Sequence, residues 1–248
     1  MAVQFETLEH PPIREALIDA RIAPLGQDAV ADLSLEPHEL PGEFCRREEQ
    51  KAFSGHFGVN DGKLGKPEAT DHGIVGYHYV DAGRTEVAQF RLDGFTYNRL
   101  APYAGWGALV KRGIELLSVY RGRVKSAEFI RLAVRYINEV GLAGEADLSL
   151  WLSDPPAASK EAGRELSGYR VRREYSGPRQ GAGVNVTIAV DGPLGAPSST
   201  LIVDIEAYLA DADVSSEGGL NCTLDELRDA KNRFFFGSLT PRAIQRHK

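Results

Sequence analysis

Arginine and carboxylate are the reactive groups that this chain repeats along its strand-like segments. In an extended chain successive side chains point to opposite faces. Residues 128–140, EFIRLAVRYINEV, therefore set Ile130, Leu132, Val134 and Tyr136 on one side and Arg131, Ala133, Arg135 and Ile137 on the other. Residues 199–210 set Leu201, Val203, Ile205 and Ala207 against Asp204, Glu206 and Tyr208. Residues 86–94 oppose Ala88, Phe90 and Leu92 to Val87, Gln89, Arg91 and Asp93, and residues 16–23 add Asp19 and Arg21. A charged face of this kind has three readings. It is a solvated face with cross-strand ion pairs, each contributing roughly 0.2–1 kcal/mol. It is covered by helices, with buried Arg–carboxylate pairs that fix register. Or it is a concave or barrel-like surface for an anionic or polar ligand, with Arg91, Arg131, Arg135, Asp204 and Glu206 as the binding residues. The planar arginine fork matches phosphate and carboxylate, and Asp204 with Glu206 could hold Mg²⁺.

Other chemistries find less support. The alternation of arginine and carboxylate is similar to that of triphosphate-processing tunnel enzymes, but their ExExK signature is missing. None of the six histidines forms HExxH or another close metal pair, although His56 and His78 fall on segments that could be neighbouring strands. No GxSxG elbow frames a serine nucleophile. The glycines of GPRQGAGVN, residues 177–185, precede a strand where a phosphate loop needs a helix, so they mark a hairpin loop. Cys45 and Cys222 form no CxxC pair, which counts against a cysteine-rich zinc site and a disulfide framework. No metal, nucleotide or nucleophile motif is complete, and no cofactor is named by the sequence. The net charge of −6 makes nonspecific nucleic-acid binding a poor expectation.

The elements that must position these residues alternate between two periods. Besides the segments above, 52–57, 73–80, 168–176 and 183–192 read as strands, with Asp81-Ala82-Gly83-Arg84 a hairpin turn in which Gly83 supplies a positive φ. Trp106, Leu109, Val110, Gly113, Ile114 and Leu117 recur at helical spacing after Pro102, predicting a helix over 102–123. Residues 146–153 read as a short helix and 154–168 as a loop. Thr223 and Glu226 form a capping box, predicting a second long helix over 223–236. The expected fold is α+β: a mainly antiparallel sheet with two long packing helices. The order strand, short helix, three strands, long helix occurs twice, in 1–125 and 126–248, which suggests an internal duplication whose halves pack as one unit. The start of the chain is acidic and does not read as a signal peptide, and no run approaches the roughly 20 apolar residues of a membrane span. The expected location is cytoplasmic.

The motifs PPIREA (11–16), FRLDGFTYNRLAPYAGW (90–106), RLAVRYIN (131–138), VDIEAY (203–208) and FFFGSLTPRAI (234–244) together resemble a sporadically distributed family of prokaryotic proteins of about this length, whose activity is not settled. The resemblance implies a stand-alone prokaryotic protein from an accessory or mobile-element gene, compatible with phage defence or a toxin–antitoxin role. Functionally, a ligand- or partner-binding protein is the favoured expectation. The rivals are an enzyme acting on a phosphorylated or carboxylated small molecule through the charged sheet face, and a subunit of a defence complex. Phe234, Phe235 and Phe236 cannot all face one core from a single helix, and with the aromatic segment 95–106 they suggest a homodimer or a neighbouring-gene protein partner.

Overall fold

The protein is represented by a computed structural model, which describes residues 5–56, 59–60, 63–64, 68–125, 127–156, 166, 168–212 and 216–248. In chain order the strands and helices are β1 (Ile13–Ile22), β2 (Phe44–His56), β3 (Val59–Asn60), β4 (Lys63–Leu64), β5 (Glu68–Asp81), β6 (Glu86–Arg91), β7 (Gly94–Leu100), α1 (Trp106–Val124), β8 (Phe129–Gly141), β9 (Arg170–Ser176), β10 (Ala182–Asp191), β11 (Thr200–Ala210), α2 (Glu217–Ser238) and α3 (Pro241–Gln245). Short 3-10 turns occupy Gln27–Leu33, Pro37–Glu39 and Leu148–Leu150. β3 and β4 form a separate small hairpin. The other nine strands form one sheet in the order β2-β5-β6-β7-β1-β8-β11-β10-β9. All its neighbouring strands are antiparallel.

β1 and β8 meet at the middle of the sheet, with Ile18 opposite Val134 and Asp19 opposite Ala133. The alternation of the strands gives the sheet two unlike faces. One carries Ile18, Tyr97, Val134, Ile205 and Val186, all nearly inaccessible. α1 lies against β1 and β7, and α2 against β8, β10 and β11. Gly113 lets α1 approach closely, since a Cβ there would come 2.7 Å from Ile18 Cδ1. α2 buries Leu220, Leu224, Leu227, Lys231 and Phe235. This is a helical stripe of the usual three-and-four spacing, with a lysine in it.

Several boundaries differ from the sequence reading. β2 begins at Phe44, well before the expected strand at 52–57, because CRREEQK carries charge on both faces of an edge strand and shows no alternation. β7 was not expected. Residues 86–100 fold back on themselves at Leu92-Asp93, where Gly94 takes a φ of 152°. A side chain at Gly94 would put its Cβ 2.4 Å from the Ala20 carbonyl oxygen, which fixes that position as glycine. In the β5–β6 turn the positive φ belongs to Arg84, not Gly83, while the Asp81 carboxylate holds the turn by accepting from the Thr85 and Glu86 amides. Pro102 precedes α1, whose N-cap is Gly105. Thr223 is not a cap: α2 starts at Glu217, with Ser216 accepting from the Gly219 amide. The short helix at 146–153 contracts to the 3-10 turn Leu148–Leu150, and most of the expected loop 154–168 lies outside the described residues.

The triple phenylalanine is covered within the chain. Phe235 is buried, Phe234 packs 4.6 Å from the Tyr175 ring, and Phe236 stacks on Phe5 at 5.7 Å. Their rings turn to β9, to the core and to the N-terminal segment, with Phe234 and Phe236 half-buried. Among the described residues no helix is long and apolar enough to cross a membrane. Both cysteines are free and exposed.

Candidate functional site

The structure brings the five residues singled out in the sequence onto the face opposite the helices, and pairs each of them. Arg135 makes a two-pronged contact with Asp204, donating from Nε to Oδ1 at 2.8 Å and from NH2 to Oδ2 at 2.6 Å. Arg131 pairs with Glu206 at 2.8 Å and lies 4.4 Å over the Tyr208 ring. Glu206 also accepts from the Asn185 amide at 2.9 Å. Arg91 donates to Asp93 at 3.0 Å, to Gln89 at 2.7 Å, to the Thr96 hydroxyl at 2.9 Å and to Asp19 at 3.4 Å.

Asp19 is the hub. It accepts from Arg21 at 2.9 Å and from the Thr96 hydroxyl at 2.6 Å, and Arg131 stands 3.7 Å away. Asp93 bridges Arg21 at 2.6 Å and Arg91. The chain of contacts ends at Gln89, Asn98 and Glu15 on β6, β7 and β1. Asp19, Arg91, Thr96 and Asn98 are buried although both long helices pack on the other face. The network covers itself: the long arginine stems lie over the strands and shield the groups beneath. This face is therefore neither a simple solvated face nor a helix-covered one. Within this central network each guanidinium group, Arg21, Arg91, Arg131 and Arg135, already faces at least one carboxylate, and an arriving anion would have to displace it.

The same pairing weakens the Mg²⁺ idea, because Asp204 and Glu206 are each occupied by an arginine. Among the described residues no cluster of three or more histidine, cysteine or carboxylate side chains could hold a metal ion. His56 and His78 do stand on neighbouring strands, but at opposite ends of the β2–β5 pair, across from Glu68 and Glu48.

The helix side holds a different arrangement. Lys231 emerges from the apolar stripe of α2 and is only 7% exposed. Its Nζ lies 3.8 Å from the centroid of the Tyr136 ring. Among the described residues it has no ion-pair partner. Burial, reinforced by the nearby positive charge of Arg228, pushes the amine down to about 7. The Tyr136 hydroxyl meets that of Tyr103 at 2.6 Å. Burial raises both phenols above their ordinary range.

Lys231, Tyr136 and Tyr103 line a cavity of about 410 Å³. Its walls come from the N-terminal segment Phe5–Ile13, the turn before α1, β8 and α2. Trp106 closes one side, donating its indole N–H to Asp225 at 2.7 Å beneath Arg228, whose guanidinium is 5.4 Å from the indole ring. Lys231 and Tyr136 were missed by sequence reasoning. Tyr136 was counted simply as part of the apolar face of its strand. Lys231 had a readable signal, a charge at a position where the spacing 224, 227, 231, 235 calls for an apolar residue, and it lay within the helix expected over 223–236.

Chemically the cavity offers flat apolar walls, a pair of hydroxyls and an amine that near neutral pH is present both as ammonium and as free base. That combination can hold an anion, exchange a proton or act as a nucleophile. Comparison of the chain with protein-family models, with curated proteins and with solved structures gives no match.

Proposed function

We propose that this chain is a small-molecule-binding protein, and that its ligand is a compact molecule with a flat apolar body and an anionic or carbonyl end, held in the cavity between α2, β8 and the N-terminal segment. One observation carries this reading: a buried lysine with no carboxylate partner among the described residues lines a cavity of about 410 Å³, within the size range of small-ligand sites. An unpaired buried ammonium destabilises a fold, so its presence in the stripe of α2 calls for a compensating role. Trp106 and Tyr103 supply flat walls, and Arg228 adds positive charge beside the lysine. The central charged network of the sheet face is assigned to fold specification, since its guanidinium groups Arg21, Arg91, Arg131 and Arg135 are already matched.

An internal duplication is part of the same proposal. In 1–125 the opening strand β1 returns beside β7, the last strand before α1; in 126–248 the opening strand β8 returns beside β11, the last strand before α2. The two opening strands then pair with each other. Among the described residues Lys231 of α2 is the only buried lysine; the buried residues of α1 are Leu109, Gly113, Leu116, Leu117, Tyr120 and Val124. On this reading one copy kept an apolar helix stripe and the other acquired a binding group.

Native mass spectrometry of the protein purified from its own host tests the binding role directly, followed by titration with aromatic carboxylates read by tryptophan fluorescence. A bound small molecule that is lost in Lys231→Met, with the fold intact by circular dichroism, is the expected result. Equal ligand occupancy in wild type and Lys231→Met would overturn the assignment.

A further inference from the structure

Resting on the binding role of this cavity, we propose that Lys231 is a nucleophilic amine that captures an aldehyde-bearing ligand as an imine. Imine formation needs an amine with a free lone pair, space for a carbonyl carbon beside it and surroundings that do not lock it as a salt-bridged ammonium. Lys231 meets all three conditions. Its close neighbour is the π face of Tyr136 rather than a carboxylate, it lines the cavity, and it is held by the surrounding core of α2. Burial and Arg228 add to this by bringing the amine down to about 7, so that a large fraction is neutral at physiological pH.

The step balances without a redox partner. The Nζ lone pair adds to the carbonyl carbon while the C=O π pair moves to oxygen. Nitrogen gives up a proton and oxygen gains one, forming a carbinolamine. A second protonation of that oxygen lets it leave as water, and nitrogen loses its remaining proton as the C=N bond forms. The net change is amine plus aldehyde to imine plus water. The protons are exchanged with solvent water, while the paired hydroxyls of Tyr103 and Tyr136, 2.6 Å apart, line the same cavity as polar groups beside the reacting carbonyl. Arg228 favours an aldehyde that also carries an anionic group.

The probe is 4-carboxybenzaldehyde, incubated with the full chain and reduced with borohydride, followed by intact-mass measurement and peptide mapping. The expected result is one adduct per chain on Lys231, formed at pH 7 at least about tenfold faster than on the exposed lysines, which lie outside the cavity. Lys231→Met should lose it. Labelling spread evenly over the lysines, or an unmodified Lys231, overturns the proposal. Benzoate, which cannot form an imine, separates this inference from the reading beneath it. If benzoate binding depends on Lys231 but no adduct forms, the imine is wrong and the binding role stands. If benzoate also fails to bind, and no ligand accompanies the native protein, both fall. Lys231→Arg sharpens the result, because it should keep benzoate binding and lose the adduct.

Discussion

The two faces of this sheet bury charge in opposite ways. On the open face Asp19 and Arg91 are both nearly inaccessible, and each is surrounded by groups of opposite sign or by hydrogen-bond partners. On the helix face Lys231 is as deeply buried, yet what lies beneath it is an aromatic ring. The burial is alike and the compensation is not. A matched network that crosses β6, β7, β1, β8, β11 and β10 rewards one register of those strands, because a one-residue slip would turn every partner to the other face. A lone amine specifies no register. It opposes stability and is better explained by what it can bind.

The largest effect should follow from breaking the matched side. Asp19→Ala removes the buried carboxylate that faces Arg91, Arg21 and Arg131, leaving Arg91 and Arg21 only the more exposed Asp93 to share, and a loss of roughly 3–5 kcal/mol is expected in denaturant melts. Replacing both partners, with Asp19→Leu and Arg91→Met together, should recover much of that loss, since a buried pair often contributes little over apolar residues of similar size. If the double variant is no more stable than Asp19→Ala, the cost does not come from uncompensated charge, and the contrast between the faces loses its basis.

Lys231→Met should act with the opposite sign. The amine binds a proton less readily in the folded chain, about 7 against an ordinary 10.5, so between those values the unfolded state carries more protons and stability rises with pH. The variant removes that linkage. It should stabilise the protein at pH 7 by about 2–4 kcal/mol, the range left after the shift at 1.36 kcal/mol per unit is offset by the lost contact with the Tyr136 ring. Below pH 7 the gain should level off, and by pH 10.5 it should vanish. A variant less stable than wild type at pH 7 would mean that Lys231 is already compensated.

The pattern of legibility follows from the same contrast. Period-two alternation was enough to place Arg131, Arg135, Asp204 and Glu206 on one face, and their pairing followed from adjacency of β8 and β11. The antiparallel sheet was legible for the same reason. What failed were places where tertiary contacts override a local pattern. β2 is an edge strand with exposed charges and no alternation. β7 was hidden because a tight turn at Leu92-Asp93 leaves no run of loop residues between two strands. The cavity was invisible because its walls come from residues as distant in sequence as Phe5, Tyr103, Tyr136 and Lys231. No local rule assembles such a set.

The smallest effect, and the finest test of the comparison, belongs to Arg135 and Asp204. Their contact is the best formed on the open face in geometry, with two short parallel hydrogen bonds. It is also less buried than the hub, the Arg135 side chain being 40% exposed and that of Asp204 18%. Hydrogen bonding to Asp204, against the opposing pull of burial, raises the Arg135 pKa. Two-pronged geometry fixes the fork and strengthens the pair, while access to water and salt weakens it. A double-mutant cycle with Arg135→Met and Asp204→Asn should therefore give a coupling of about 1 kcal/mol, falling as ionic strength rises. The same cycle at Asp19 and Arg91 should give a larger coupling with little salt dependence. Equal couplings at the two positions would show that burial does not grade this network. Abolished binding of a carboxylate ligand in Arg135→Met, with stability unchanged, would move the binding site to the open face.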